Sequence, residues 1–344
     1  MRVLHVISAL AEGGPEHQLR LLVGRLPHES EVVTFSPPGA VADALRAGGT
    51  RIHEVSGTAG PLRRLIRRGR FDLVHAHTHR ACTPGRIAAR LAGVRRVVAT
   101  EHGGDGGRLY RAGERLGRIT IAATPAVAGR LRDWGVPDTR IILIPKAVDP
   151  GEFRFDPAVR AACRRRLGIP PGAAVVGGVG RLEPAERFDR LIRAVGEVPG
   201  ATLLLVGDGP ARDALEKLAA IEGIADRVVF AGPVAHARET LCAMDVFASP
   251  AEETFGLAVL EALAAGLPAL YARCDPLAEL RQSVEGVKRL TPHDPESLPR
   301  ALRAELLCVA ERRGRRLPAR TASPRYDADH MAGEVDRVYA RTEP

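Results

Sequence analysis

Seven residues separate Glu253 from Glu261 in the stretch SPAEETFGLAVLEALAAGLPAL, Ser249–Leu270. Carboxylates accept hydrogen bonds from sugar hydroxyls, and the first turn of a helix offers unpaired N–H groups and a favourable dipole to a phosphate. Two carboxylates bracketing a helix start could therefore hold a phosphate with hydroxyls on either side of it. The elements that must position them are legible. Met244–Ser249 is a short apolar run that stops at Ser249-Pro250, as a buried parallel strand would. From Phe255-Gly256-Leu257 the apolar spacing turns helical, and Gly266 followed by Pro268 ends the helix.

Other segments have chemistry-bearing residues at strand ends. Gly13-Gly14-Pro15-Glu16 opens a helix after the first strand, where backbone free of Cβ can approach a ligand. It is not a G-x-G-x-x-G fingerprint, and an ordinary tight turn is the other reading. Thr100-Glu101-His102-Gly103 places a histidine where it could donate to a sugar hydroxyl or steady a departing phosphate. His75, His77 and His79 alternate in an extended segment and would share a face, but no partner carboxylate is evident, so no metal site is expected. Gly207-Asp208-Gly209-Pro210 follows a further strand and reads equally well as a simple turn.

The E-x7-E pair, with F-G-L after the first Glu and E-A-x-A-x-G-x-P after the second, resembles the GT-B retaining glycosyltransferases that use nucleotide sugars (family 4, group 1). The alternative is a buried βα unit with two unrelated glutamates. Gly180-Arg181-Leu182-Glu183-Pro184-Ala185-Glu186-Arg187-Phe188-Asp189 is similar to the family's G-R-L-x-x-x-K-G-x-D. The resemblance implies catalytic roles for Arg181 on the diphosphate, Glu253 on the transferred sugar and His102 on that sugar or its leaving oxygen. It implies donor contacts at Gly13, Gly14, Gly209, Phe255, Gly256 and Leu257, with Glu261 on the ribose hydroxyls. His75 and His77 would form part of the cleft wall. The family's lysine position holds Glu186, with Arg187 next to it, so both enter the donor set as departures from the pattern. Pro145-Lys146-Ala147-Val148-Asp149 stands where relatives show P-N-G-V-D.

The implied reaction is metal-independent transfer from a nucleoside-diphosphate sugar to a hydroxyl of a glycan, lipid-linked or small-molecule acceptor, with no cofactor beyond that donor. Two readings stand beside it. In one, Glu186 and Lys146 have weakened the chain into a glycosyltransferase-like binding protein. In the other, the same fold epimerises a nucleotide sugar.

At 344 residues the chain calls for two domains, and only 4% of residues are aromatic, which suits Val, Leu, Ala and Ile cores in α/β layers. Alternating strand and helix patterns predict two Rossmann-like, doubly wound parallel-sheet domains facing a cleft. The expected divisions are 1–150 on the acceptor side, 151–325 on the nucleotide-sugar side, and a helix in 326–344 returning to the first domain. Residues 1–150 carry 23 Lys and Arg against 13 Asp and Glu, whereas the rest has 27 against 28. The basic excess lies in 62–70 and 108–118, segments suited to an anionic membrane surface or acceptor. Nucleic acid is not expected, because no aromatic residues interleave with the arginines. Five scattered cysteines, no leader-like start and no long apolar run point to a cytoplasmic protein, peripheral on the inner membrane face at most.

Overall fold

The computed structural model describes residues 1–11, 13–55, 58–103, 113, 116–234, 236–252, 255–278, 285–291, 294–319 and 323–343. The chain divides into two units, one of Met1–Ala147 with Arg325–Pro344, the other of Val148–Pro324.

In the first unit seven strands form one parallel sheet: β1 Arg2–Ile7, β2 Glu29–Thr34, β3 Arg51–Glu54, β4 Leu73–His77, β5 Arg96–Glu101, β6 Ile119–Ala122 and β7 Ile141–Leu143. Their order is β3-β2-β1-β4-β5-β6-β7. β4 is buried at all five positions, as a central strand covered on both faces must be. Helix Ala59–Gly69 sets Leu62 and Ile66 into the core beside Leu4, Val74 and Val97, and its arginines point away. On the other face, helix Ala328–Ala340 buries Met331, Val335, Val338 and Tyr339 among Val3, Leu21, Ile121 and Ile144. Asp327 caps that helix by accepting from the Asp329 N–H at 2.8 Å.

The second unit repeats the plan with β8 Ala174–Val179, β9 Ala201–Val206, β10 Val228–Gly232, β11 Val246–Ser249, β12 Ala269–Tyr271 and β13 Val287–Arg289. The order is β10-β9-β8-β11-β12-β13, again parallel. β13, three residues long, was not read from the sequence, being too short to show a period. In both sheets the order reverses between two neighbouring strands, β1 and β4 in one and β8 and β11 in the other. The connections that follow such a pair leave toward opposite faces, so a crevice opens at the carboxyl ends of the strands.

The second sheet is tied at its amino end by one buried carboxylate. Asp245, 8% exposed, accepts from the Val175 N–H at 2.8 Å, from Arg164 Nη2 at 2.9 Å and from Arg160 Nη2 at 2.6 Å. Arg164 also donates to the carbonyls of Ala243 and Ala173, both at 2.9 Å. Removing the carboxylate would leave buried guanidinium charge uncompensated. Asp245→Ala is therefore expected to lower the unfolding free energy of this unit by about 3–5 kcal/mol, read as a lower urea midpoint. An unchanged midpoint would mean that the carbonyls alone satisfy both arginines.

Candidate functional site

In the second unit, β8 and β11 pair with Val176 opposite Val246 and Gly177 opposite Phe247. The segments that leave their carboxyl ends, beginning at Gly180 and Pro250, therefore start side by side. Gly180-Arg181-Leu182 is locked from below: Gly180 N–H donates to the Val206 carbonyl at 3.0 Å and Leu182 N–H to the Asp208 carbonyl at 3.0 Å. Gly207 has φ +133, and a Cβ there would lie 1.9 Å from the Gly180 carbonyl oxygen. At Gly209 a Cβ would lie 2.4 Å from the Leu182 carbonyl oxygen. Gly209 thus supports the arginine loop through backbone packing, and its N–H is taken by its neighbour Asp208 at 2.9 Å.

Arg181 itself is exposed, with Glu183 its one ion-pair partner at 3.6 Å among the described residues. Glu186 lies in the Pro184–Glu186 turn, where its carboxyl carbon would be 3.2 Å from a Cβ on Gly180. Burial, with Glu183 second, raises its pKa above the ordinary carboxyl value. Arg187 sits at φ +56 at the start of helix Phe188–Gly196 and reaches Asp189 at 3.4 Å. Its side chain pairs within its own turn.

After β11, Ala251 is buried and Glu252 reaches Arg190 at 3.7 Å. Glu253 lies outside the described residues. Helix Leu257–Ala264 begins after Gly256, whose φ of +80 suits glycine and whose α-hydrogen side faces Cys274, too close for a Cβ. Phe255 precedes it with its carbonyl 3.7 Å from the Cys274 thiol. Glu261 follows just over one turn inside the helix. Burial, with Glu152 second, pushes its carboxyl up to about 8, so it holds a proton at neutral pH.

In the first unit the corresponding crevice end gathers Ser8 after β1, Thr78 after β4 and His102 after β5. Ser8 Oγ and Thr78 Oγ1 are hydrogen-bonded at 3.2 Å, and the Thr78 N–H donates to the Thr100 carbonyl at 3.0 Å. Thr78 has φ +68, a strained region for a β-branched residue, and these two bonds hold it there. Gly13 is extended ahead of helix Gly14–Val23, and a Cβ on Gly13 would meet only the Glu16 carboxylate, whereas Gly14 has open space.

Both ring nitrogens of His102 are shielded from solvent and have no hydrogen-bond partner among the described residues. They border a cavity of about 30 Å³ lined also by His77, Thr100 and Lys146. Burial first, and Lys146 second, push His102 down to about 3, so its imidazole is neutral and offers one donor and one acceptor. Burial also lowers the pKa of Lys146. Glu101 accepts from the Gly103 N–H at 3.2 Å and is pushed up to about 7 by burial.

His75 corrects the expectation of a cleft wall, being 0% exposed inside the sheet core, whereas His77, 2% exposed, lines the cavity beside His102. They do share a face, with ring centroids 4.0 Å apart, and His75 is held between Tyr339 Oη at 2.6 Å and Thr100 Oγ1 at 2.7 Å. His5 Nδ1 lies 3.1 Å from His77 Nε2, and the three ring nitrogens are close enough to one another to ligate an ion. His75 already spends both nitrogens on hydroxyls.

Sequence reasoning missed Ser8, Thr78 and Gln18 in the first unit. Gln18 makes a two-way clasp with the Ala147 backbone, Nε2 to the carbonyl at 2.8 Å and Oε1 from the N–H at 2.7 Å, which fixes the position of Lys146 beside it. A glutamine on the inward face of an amphipathic helix was the available signal.

Residues 3–152 match the family described as Glycosyltransferase Family 4, and residues 173–307 match Glycosyl transferases group 1. A GDP-mannose-dependent alpha-(1-6)-phosphatidylinositol monomannoside mannosyltransferase of Mycobacterium tuberculosis is 33% identical over 297 residues, covering 75% of this chain and 76% of that protein. A D-inositol 3-phosphate glycosyltransferase of Acidothermus cellulolyticus is 33% identical over 305 residues, covering 74% of this chain and 66% of that protein. Among solved structures, Anabaena HepE in complex with UDP-glucose is similar in fold, with a TM-score of 0.81 at 22% identity over 99% of this chain and 100% of that one.

The raised Glu261 carboxyl has a consequence for stability. Unfolded, it loses its proton above its ordinary 4.5; folded, it keeps it to about 8. The folded chain therefore binds more protons between those values, and stability falls as pH rises through them, then levels off. Glu261→Gln removes this dependence. The difference in urea midpoint between variant and parent is expected to shift in the variant's favour from pH 5 to pH 8 and to stop shifting above it. A difference that stays constant with pH would mean that Glu261 is ionised throughout.

Proposed function

The chain belongs to the GT-B glycosyltransferases of family 4, group 1, which move a sugar from a nucleoside-diphosphate sugar to a hydroxyl, and on that premise we propose how its residues share the work. The donor diphosphate lies at the carboxyl ends of β8 and β11, on the first turn of helix Leu257–Ala264, with Arg181 taking up the charge that grows on the leaving phosphate. Glu261 meets the ribose hydroxyls, and Glu253 the transferred sugar. The reaction retains configuration at the sugar carbon. The observation that carries this reading is the reversal of strand order between β8 and β11, which starts the Arg181 loop and the segment after Ser249 side by side.

His102 supplies a neutral imidazole, a hydrogen-bond partner for the sugar or its leaving oxygen rather than a cation. Its two ring nitrogens, without a partner among the described residues, are the second support for the reading, since buried polar atoms ordinarily have partners. Gly14 leaves room for a ligand at the start of its helix, whereas the space beside Gly13 is taken by the Glu16 carboxylate. Much of the rate then comes from holding donor and acceptor in one orientation away from water.

The curated relatives narrow the substrates worth testing. One is GDP-mannose-dependent, and the names of both join an inositol to a phosphate on the acceptor side. We therefore put GDP-mannose first among donors and a phosphate-bearing polyol, free or lipid-linked, first among acceptors. No helix among the described residues is long and apolar enough to cross a membrane. Peripheral contact with a lipid-presented acceptor would run through helix Ala59–Gly69, whose Arg64 and Arg68 form its outer face, opposite the buried Leu62 and Ile66.

Calorimetric titration against GDP-, UDP- and dTDP-hexoses tests the donor assignment. One base is expected to bind, and Arg181→Gln is expected to weaken it at least tenfold. Failure of all three to bind would sink the assignment. Glu186→Lys is expected to raise turnover by about a hundredfold, the scale of one preorganised charge on the leaving group. A variant no faster than its parent would show that this position lies clear of the diphosphate.

A further inference from the structure

We propose that the amino end of the first unit's sheet carries a second binding site, for phosphate groups, remote from the end where the reaction residues lie. A concavity of about 630 Å³ opens there, within the size range of ligand pockets. Five arginines line it from three separate stretches of chain: Arg67 and Arg70 at the end of helix Ala59–Gly69, Arg95 and Arg96 at the entry to β5, and Arg118 at the entry to β6. Strands of five or six residues span roughly 17–20 Å, so this pocket and His102 stand at opposite ends of β5.

Three of the arginines are uncommitted. Arg67, Arg70 and Arg95 are exposed and have no hydrogen bond or ion pair among the described residues. The other two are anchored to the end of the chain: Arg96 donates to Thr342 Oγ1 at 3.2 Å and to the Tyr339 carbonyl at 3.0 Å, and Arg118 to the Thr342 carbonyl at 3.3 Å. The acidic groups facing them are few. Asp72 lines the pocket but already accepts from the Arg2 N–H at 2.7 Å, and Glu343 lies 3.7 Å from Arg96.

Arginines on a solvated helix face diverge into water, and such an array needs no ligand. Here several elements turn them onto one concavity, where like charges repel unless an anion sits between them. Guanidinium forks pair with phosphate oxygens two bonds at a time, which lysine cannot do. Arg70 adds a local argument. It ends its helix at φ +51, a left-handed conformation that glycine adopts more readily than a side-chain-bearing residue. The side chain that stands at this turn is a guanidinium that lines the concavity.

The phosphate could be borne by a lipid headgroup or by a soluble ligand. The test compares the full chain with Arg67→Gln/Arg70→Gln/Arg95→Gln in two arms: titration with inorganic pyrophosphate, and sedimentation with phosphatidylcholine vesicles with or without phosphatidylglycerol. Arg181→Gln is run alongside, because pyrophosphate also suits the proposed donor site. The parent is expected to show two classes of pyrophosphate site, the triple variant to lose one of them by at least tenfold, and Arg181→Gln to lose the other. A tenfold loss confined to the anionic vesicles would instead identify a lipid headgroup. Circular dichroism and nucleotide-sugar binding like the parent's would show that the triple variant is folded. Pyrophosphate and vesicle binding both unchanged in the triple variant would overturn the proposal, while an Arg181→Gln variant without effect would count against the donor site alone.

Discussion

Right-handed crossovers and a parallel sheet leave one place per unit where consecutive connections part to opposite faces, and the rest of this structure depends on that place. In the second unit it falls between β8 and β11. Every feature nearby serves to keep the backbone close there: Gly207 and Gly209 let β9's exit press against Gly180 and Leu182, and Gly256 lets helix Leu257–Ala264 start hard against Cys274. Side chains at these glycines would push the arginine loop or the helix start outward by an ångström or more. The glycines therefore act on geometry, which leaves contact with ligand, in the proposed reading, to Arg181 and the two glutamates.

Burial sets the protonation state at both crevice ends. Desolvation drives His102 down to about 3 and Glu261 up to about 8, so both are mainly neutral at pH 7, while Glu101, pushed up to about 7, is about half ionised there. A neutral imidazole can donate from one nitrogen and accept at the other. A protonated carboxyl can both donate to and accept from a pair of ribose hydroxyls. Neutral partners of this kind bind hydroxyls without adding repulsion toward a diphosphate that already carries negative charge.

Much of this was legible in the sequence, and for physical reasons. Strand runs such as Ala174–Val179 and Ala201–Val206 are nearly continuous and apolar because both faces of a parallel sheet are covered, and Gly266 with Pro268 marks a helix end through backbone chemistry alone. The strand and helix that flank the E-x7-E pair were legible because the apolar run, its break at Pro250 and the helix stop occur together. What was not legible depends on contacts distant in sequence. His75 looked like a surface group, yet Tyr339, 264 residues away, closes over it. The five-arginine pocket was visible only as a charge excess in 62–70, since Arg95, Arg96 and Arg118 join it through strand order. Gln18 gave no sign of holding Ala147, because side chain and backbone meet across most of the first unit.

Glu186 shows how a departure from a family pattern can be absorbed. A carboxylate free in water at that position would oppose the donor. Here it lies in a tight turn with its carboxyl against the backbone of Gly180, and burial together with Glu183 favours its protonated form. A raised pKa lessens the repulsion as pH falls, but it restores none of the cation's pull on the leaving group. Arg187 does not restore it either, because its left-handed backbone turns the guanidinium toward Asp189. In the proposed reading Arg181 then meets the diphosphate with the helix dipole alone, and the charge at position 186 is the lever that the Glu186→Lys variant tests.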